Sequence, residues 1–130
     1  MKKGVHEFTC IDPKSIHYLK VLCVKGNVKV ENIGIMEYIN PNGRIASFSS
    51  DDEALNRIYD AAVHTFEQGA SDIFMDCPSR ERAGWLCDSF FTGRTEKDLT
   101  GTSLVEKGFL ENFFYATDFG KHPKGMFPMC

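Results

Sequence analysis

The feature that most restricts the fold of this chain is a change of hydrophobic period near residue 46. Before it, residues 15–38, SIHYLKVLCVKGNVKVENIGIMEY, are rich in Val, Ile and Tyr and are broken at Lys25-Gly26-Asn27, a pattern that predicts two short strands joined by a tight turn. After it, apolar residues recur every three or four positions. Leu55, Ile58, Tyr59, Ala62 and Phe66 predict an amphipathic helix over 50–68 that ends near Gly69. Leu104, Leu110, Phe113 and Phe114 predict another over 103–116, and a third is expected from Gly84 or Trp85 to Thr95, with Trp85, Phe90 and Phe91 inward. Ser50 with Glu53, and Ser103 with Glu106, have the spacing of capping boxes, while Asp51 and Asp52 put negative charge where a helix N-terminus favours it. The turn cluster Asn40-Pro41-Asn42-Gly43-Arg44 is the best candidate boundary.

Strands followed by helices make an α+β chain, but a self-contained domain is a poor fit. A two-stranded hairpin is marginal by itself, and 11 phenylalanines carry more apolar surface than one small three-helix bundle covers. The closing GKHPKGMFPMC reads as a connecting loop, so the chain is expected to be a piece of something larger. With 42% apolar and 25% charged residues it is neither disordered nor membrane-spanning in composition. A net charge of −3 argues against nucleic acid and anionic membrane as partners. MKKGVHEFTC has the basic start of a secretory leader without the apolar run that should follow, so no export signal is read and the compartment stays unknown. Cys10, Cys23, Cys77, Cys87 and Cys130 are odd in number and without CxxC spacing, which predicts reduced, mostly buried thiols and neither a zinc site nor a disulfide framework. Asp51, Asp52 and Asp72 are scattered, so no metal and no cofactor is expected.

The chemistry gathers in DCPSRERAGWLCDS, Asp76 to Ser89. Pro78 biases Cys77 away from helical geometry, so Asp76 is expected at the end of an irregular segment that enters a helix near Ala83 to Trp85. Asp76, Glu81 and Asp88 then surround one loop-to-helix junction and can face one cavity. Like charges held close raise the pKa of at least one member, and a carboxyl kept protonated is what a general acid requires. Arg80 and Arg82 are expected to pair with Asp76 and Asp88, leaving Glu81 to titrate high. The single tryptophan, Trp85, supplies an apolar face of the kind on which a sugar ring rests. Sugar binding or glycoside hydrolysis fits this set best; a solvated salt-bridge lattice with a core tryptophan is the competing account.

DCPSRERAGWLCD resembles the signature of the α-L-rhamnosidases of glycoside hydrolase family 78: Asp-Cys-Pro-x-Arg, a Glu-Arg pair, Gly-Trp and an Asp three residues beyond. FSSDDEALNRIYDAAVHTF resembles the helix that precedes this signature in the family, and GMFPMC a loop that follows it. The resemblance implies a β-sandwich ending at about residue 45, followed over 46–130 by the first helices of a six-hairpin (α/α)6 barrel. It implies a rhamnose-containing glycoside as substrate and the remainder of the catalytic domain as partner. By position Glu81 matches the general acid, Asp76 and Asp88 match carboxylates that bind rhamnose hydroxyls, and Trp85 matches an aromatic of the sugar pocket. Arg80 either orients the carboxylates or touches substrate, and Cys87 stands where many members have glycine. The family inverts, which needs a second carboxylate about 6.5–9.5 Å from the acid. The resemblance implies that this base comes from a helix far downstream, so it is expected beyond Cys130; Glu106 and Glu111 lie too close in sequence to match it. A non-catalytic carbohydrate-binding or interaction module is the alternative.

Overall fold

The computed structural model describes residues 3–116, 123 and 125–128. The chain divides into two units, Met1–Ile35 and Met36–Cys130. Three helices lie in the second: α1 (Glu53–Gly69), α2 (Leu86–Thr100) and α3 (Leu104–Tyr115).

The expected N-terminal strands are not seen. Among the described residues the sole β pairing is an isolated bridge between Ala70 and Phe74. Residues 3–35 form bends and unpaired backbone, and their side-chain bonds are local, such as Lys14 with Asp12 and Lys29 with Glu31. The Val, Ile and Tyr content that suggested strands is exposed throughout this stretch, Val5, Ile11 and Tyr18 among the most open. A strand gains its stability from a paired neighbour and a covered face, and this segment has neither within its own unit.

In the second unit the predicted helices form, with different caps and different inward faces. Asp52, not Ser50, caps α1: its Oδ1 accepts from Ala54 N at 2.8 Å and Leu55 N at 3.4 Å. Ser50 instead exchanges backbone bonds with the Asn56 side chain, accepting from its Nδ2 and donating to its Oδ1, both at 2.9 Å. The buried face of α1 is Val63 and Phe66, and Leu55 and Ile58 of the predicted stripe are exposed. In α3 it is Val105, Phe109 and Phe113, one position off the predicted Leu104, Leu110 and Phe114, which are exposed; Phe113 alone was placed correctly. Phe74, from the loop after α1, completes the core with Leu99, its ring 5.4 Å from that of Phe109, which in turn meets Phe113 edge to face at 5.0 Å.

Helix α2 departs most from expectation. Phe90 and Phe91 point outward, 60% and 69% exposed. Its buried positions are Ser89, Gly93, Glu96, Leu99 and Thr100. A Cβ on Gly93 would lie 2.7 Å from Glu106 Oε1 and 3.4 Å from Phe74 Cε2, so the missing side chain leaves room for the Glu106 carboxylate of α3. Three residues on, the fully buried Glu96 takes over the capping of α3 that was expected of Ser103. Its Oε1 accepts from Val105 N and its Oε2 from Glu106 N, both at 2.9 Å, and Asn42 Nδ2 donates to Oε1 at 3.1 Å. Gly101, left-handed at φ 72°, ends α2 and turns the chain into α3, giving a helical hairpin.

Asn40 to Ala46 are bonded to this hairpin and to α1. Asn40 N donates to Glu67 O at 2.7 Å, its buried Nδ2 to Ala70 O at 2.6 Å, and Ile45 N and Ala46 N both donate to Leu99 O. The cysteines correct another expectation: Cys10, Cys23 and Cys87 are exposed and Cys77 is half-buried. Cys130, and most of the closing loop from Asp118 on, lie outside the described residues.

Candidate active site

Between Phe74 and α2 the chain makes the irregular segment that Pro78 predicted, with turns at 78–81. Asp76 closes it. Its backbone N–H donates to Ala83 O at 3.0 Å and its Oδ1 accepts from Ala83 N at 2.8 Å, so both backbone groups of Ala83 are held by one residue seven positions earlier. Arg82, left-handed at φ 53°, reverses the chain just before that contact. The Ala83 N–H holds the Asp76 carboxyl below the ordinary carboxylate value, against the small opposing effect of burial.

Inside the loop Cys77 does the corresponding work for its other end. Its Sγ accepts from Glu81 N at 3.2 Å. The backbone N–H groups of Arg82, first, and Glu81 bring the thiol below its ordinary value. Gly84 ties the loop to the core: a Cβ there would sit 2.5 Å from Phe109 Cε2 and 3.2 Å from Phe74 O. The close approach explains why the residue before Trp85 has no side chain.

The loop thus presents Glu81 outward, with both carboxylate oxygens engaged. Arg80 Nη2 donates to Oε1, and Trp85 Nε1 donates to Oε2 at 3.0 Å. Here the sequence expectation is corrected. Arg80 was paired with Asp76 or Asp88, yet it turns to its neighbour Glu81, and Glu81, expected to be the unpaired carboxyl, is the one that gathers donors. The reason is reach: Asp76 is folded inward onto Ala83, so the nearest outward carboxylate to the Arg80 guanidinium is the next residue. Arg80 is 81% exposed, and an ion pair that open to water contributes little stability.

Trp85 is half-buried and stands at the N-cap of α2 with extended backbone, while Asp88 occupies the exposed first turn of that helix, where the N–H dipoles favour an anion. Four predicted residues, Asp76, Arg80, Glu81 and Trp85, are therefore joined through one loop, and Asp88 stands outside their hydrogen bonds. The loop does not line the cleft of about 350 Å³ whose walls are Tyr38, Ile39, Ser71, Asp72 and Leu104 among others. Cys77 and Gly84 were not given roles by the sequence reading. The signal for Cys77 was its spacing of four from Glu81, and that for Gly84 its place between the loop and the only tryptophan.

The unit thus holds one helical hairpin, α2 with α3, and a carboxylate-and-indole loop that leads into it. Residues 43–130 match the bacterial alpha-L-rhamnosidase 6 hairpin glycosidase domain, and the chain belongs to that family. Comparisons with curated proteins and with solved structures found no match.

Proposed function

We propose that this segment supplies the general acid and part of the sugar pocket of an inverting α-L-rhamnosidase. Glu81 is the acid: its proton passes to the glycosidic oxygen as the bond from that oxygen to the anomeric carbon breaks, and the departing group leaves as an alcohol. A water attacks the opposite face of the anomeric carbon and gives its proton to a carboxylate contributed by another part of the domain. Asp76 and Asp88 accept hydrogen bonds from rhamnose hydroxyls, the face of Trp85 carries the apolar side of the ring, and Arg80 pairs with Glu81 until substrate enters and can then touch the sugar.

The observation that carries this reading is the exposed Glu81 carboxylate, held by donors at both oxygens on a loop that the core fixes through Gly84 and Asp76. Exposed Leu55, Ile58, Phe90 and Phe91 on α1 and α2 favour further helices packing here, as a six-hairpin domain requires. The division at residue 46, with residues 1–45 belonging to a preceding domain, is part of the same proposal. The test uses a six-hairpin domain that carries this segment, an aryl α-L-rhamnoside and NMR detection of the first-formed anomer. Rhamnose released with inverted configuration supports the reading. Retained configuration contradicts the inverting mechanism, and rhamnose binding without hydrolysis favours a carbohydrate-binding module instead.

A further inference from the structure

We infer that Trp85 is a positioning residue for Glu81 through its indole N–H, over and above any contact its ring face makes with sugar; the inference rests on the proposed role of Glu81 as proton donor. The loop that bears Glu81 is irregular, and the partner of Oε1, Arg80, is adjacent in sequence and almost wholly in solvent, so it cannot fix the carboxylate relative to the protein. Trp85 can. Its carbonyl accepts from Ser89 N at 2.9 Å in the first turn of α2, Ser89 is buried, and the preceding Gly84 is packed on Phe109 and the Phe74 carbonyl. The bond from Nε1 to Oε2 at 3.0 Å therefore ties the acid to the helical frame.

The chemistry of the indole adds a direction. Indole N–H donates and never accepts. With Oε2 occupied by that donor, the transferable proton of Glu81 belongs on Oε1, and Arg80 must leave Oε1 before the proton can sit there. Trp85 thus selects which oxygen faces the leaving group, and the exposed Arg80 vacates it when substrate arrives.

Two measurements test this. Trp85 is the only tryptophan of the 130 residues, so the chain gives a single indole N–H resonance. In the unaltered chain this resonance is expected downfield and slow to exchange with water. Glu81→Ala, a truncation at an exposed position that leaves the core untouched, should move it upfield and speed its exchange, while Asp60→Asn on the exposed side of α1 should leave it in place. An indole resonance unmoved by Glu81→Ala overturns the inference. The second measurement is kinetic, in a six-hairpin domain carrying this segment. Trp85→Phe keeps an aromatic face, though a smaller one, and removes the donor. It should lower kcat on a rhamnosyl disaccharide by roughly 10- to 100-fold with KM nearly unchanged, hurt an activated aryl rhamnoside much less, and add nothing to the loss already caused by Glu81→Gln. If Trp85→Phe instead raises KM alike on both substrates, the residue is a platform only and the positioning role is refuted. If Glu81→Gln itself shows equal losses on both, it is the proton-donor reading that fails, a pattern distinct from a failure confined to Trp85→Phe.

Discussion

Glu96→Ala probes how the site is supported. The carboxylate is fully buried and bonds Val105 N, Glu106 N and Asn42 Nδ2. Its loss removes the cap of α3, worth about 1 kcal/mol and up to about 2. It also strands the part-buried Glu106 N–H and Asn42 amide, at roughly 1–3 kcal/mol for each group that water does not reach. Truncation opens some access, so we take one such penalty in full, which gives about 2–5 kcal/mol. That is a large part of the 5–15 kcal/mol typical of a whole domain. Glu96→Gln keeps the shape and one accepting oxygen but turns an amide N–H2 toward a backbone N–H, and should cost roughly half as much. Urea unfolding followed by far-UV circular dichroism measures both, with exposed Glu53→Ala as the reference. If Glu96→Ala unfolds within about 0.5 kcal/mol of that reference, the scale of an ordinary surface substitution, the claim that this carboxylate holds α3 in place is refuted.

Gly84→Ala forces a methyl against Phe109 and the Phe74 carbonyl, and should destabilise by about 1–3 kcal/mol in the same assay while shifting the indole resonance of Trp85; an unaltered midpoint contradicts the packing role of this glycine. Asp76 is held below its ordinary pKa by Ala83 N–H, so the closure of the loop is complete above the unfolded carboxylate value, about 3.9, and is lost as pH falls through the lower folded value. The Ala83 amide resonance should hold steady on acidification to about pH 4 and move only below it; movement well above that pH assigns the contact to another group. The 130-residue chain by itself should show no measurable hydrolysis of an aryl α-L-rhamnoside. Without an activating base, attack by water loses a factor on the order of 10²–10⁴, and robust turnover by the pure chain contradicts the expected division of the catalytic pair.

Helix positions were legible because the 3.6-residue period and acidic first turns are local signals. Which face turns inward was not. In α2 the buried positions are Leu99 together with Ser89, Gly93, Glu96 and Thr100, four small or polar residues that a hydrophobic pattern assigns to solvent, whereas the outward Phe90 and Phe91 look like core. Glu96 is buried because α3 brings it backbone donors, a tertiary event that no spacing within α2 announces. Strands over residues 15–38 failed for the opposite reason: the side chains have the right composition, but pairing depends on a neighbour. At the site, the residue types of the signature pointed to carbohydrate chemistry, and four of the five named residues share one loop. Their wiring was hidden, since the choice of Arg80 between Glu81 and Asp76 follows from Asp76 folding back onto Ala83.

The most direct test of the central claim, that Glu81 donates the proton to the leaving group, is the leaving-group dependence of Glu81→Gln in a six-hairpin domain carrying this segment. The amide keeps shape and hydrogen bonding but has no transferable proton. A sugar alcohol leaving group depends on protonation and an activated aryl group does so far less, so kcat on a natural rhamnosyl disaccharide should fall by about 10²–10⁴-fold, with a much smaller loss on the aryl rhamnoside and KM largely preserved on both. Asp88→Asn, by contrast, should weaken binding of both substrates about equally. Equal losses in kcat on the two substrates for Glu81→Gln contradict the claim and move the search for the acid to Asp76.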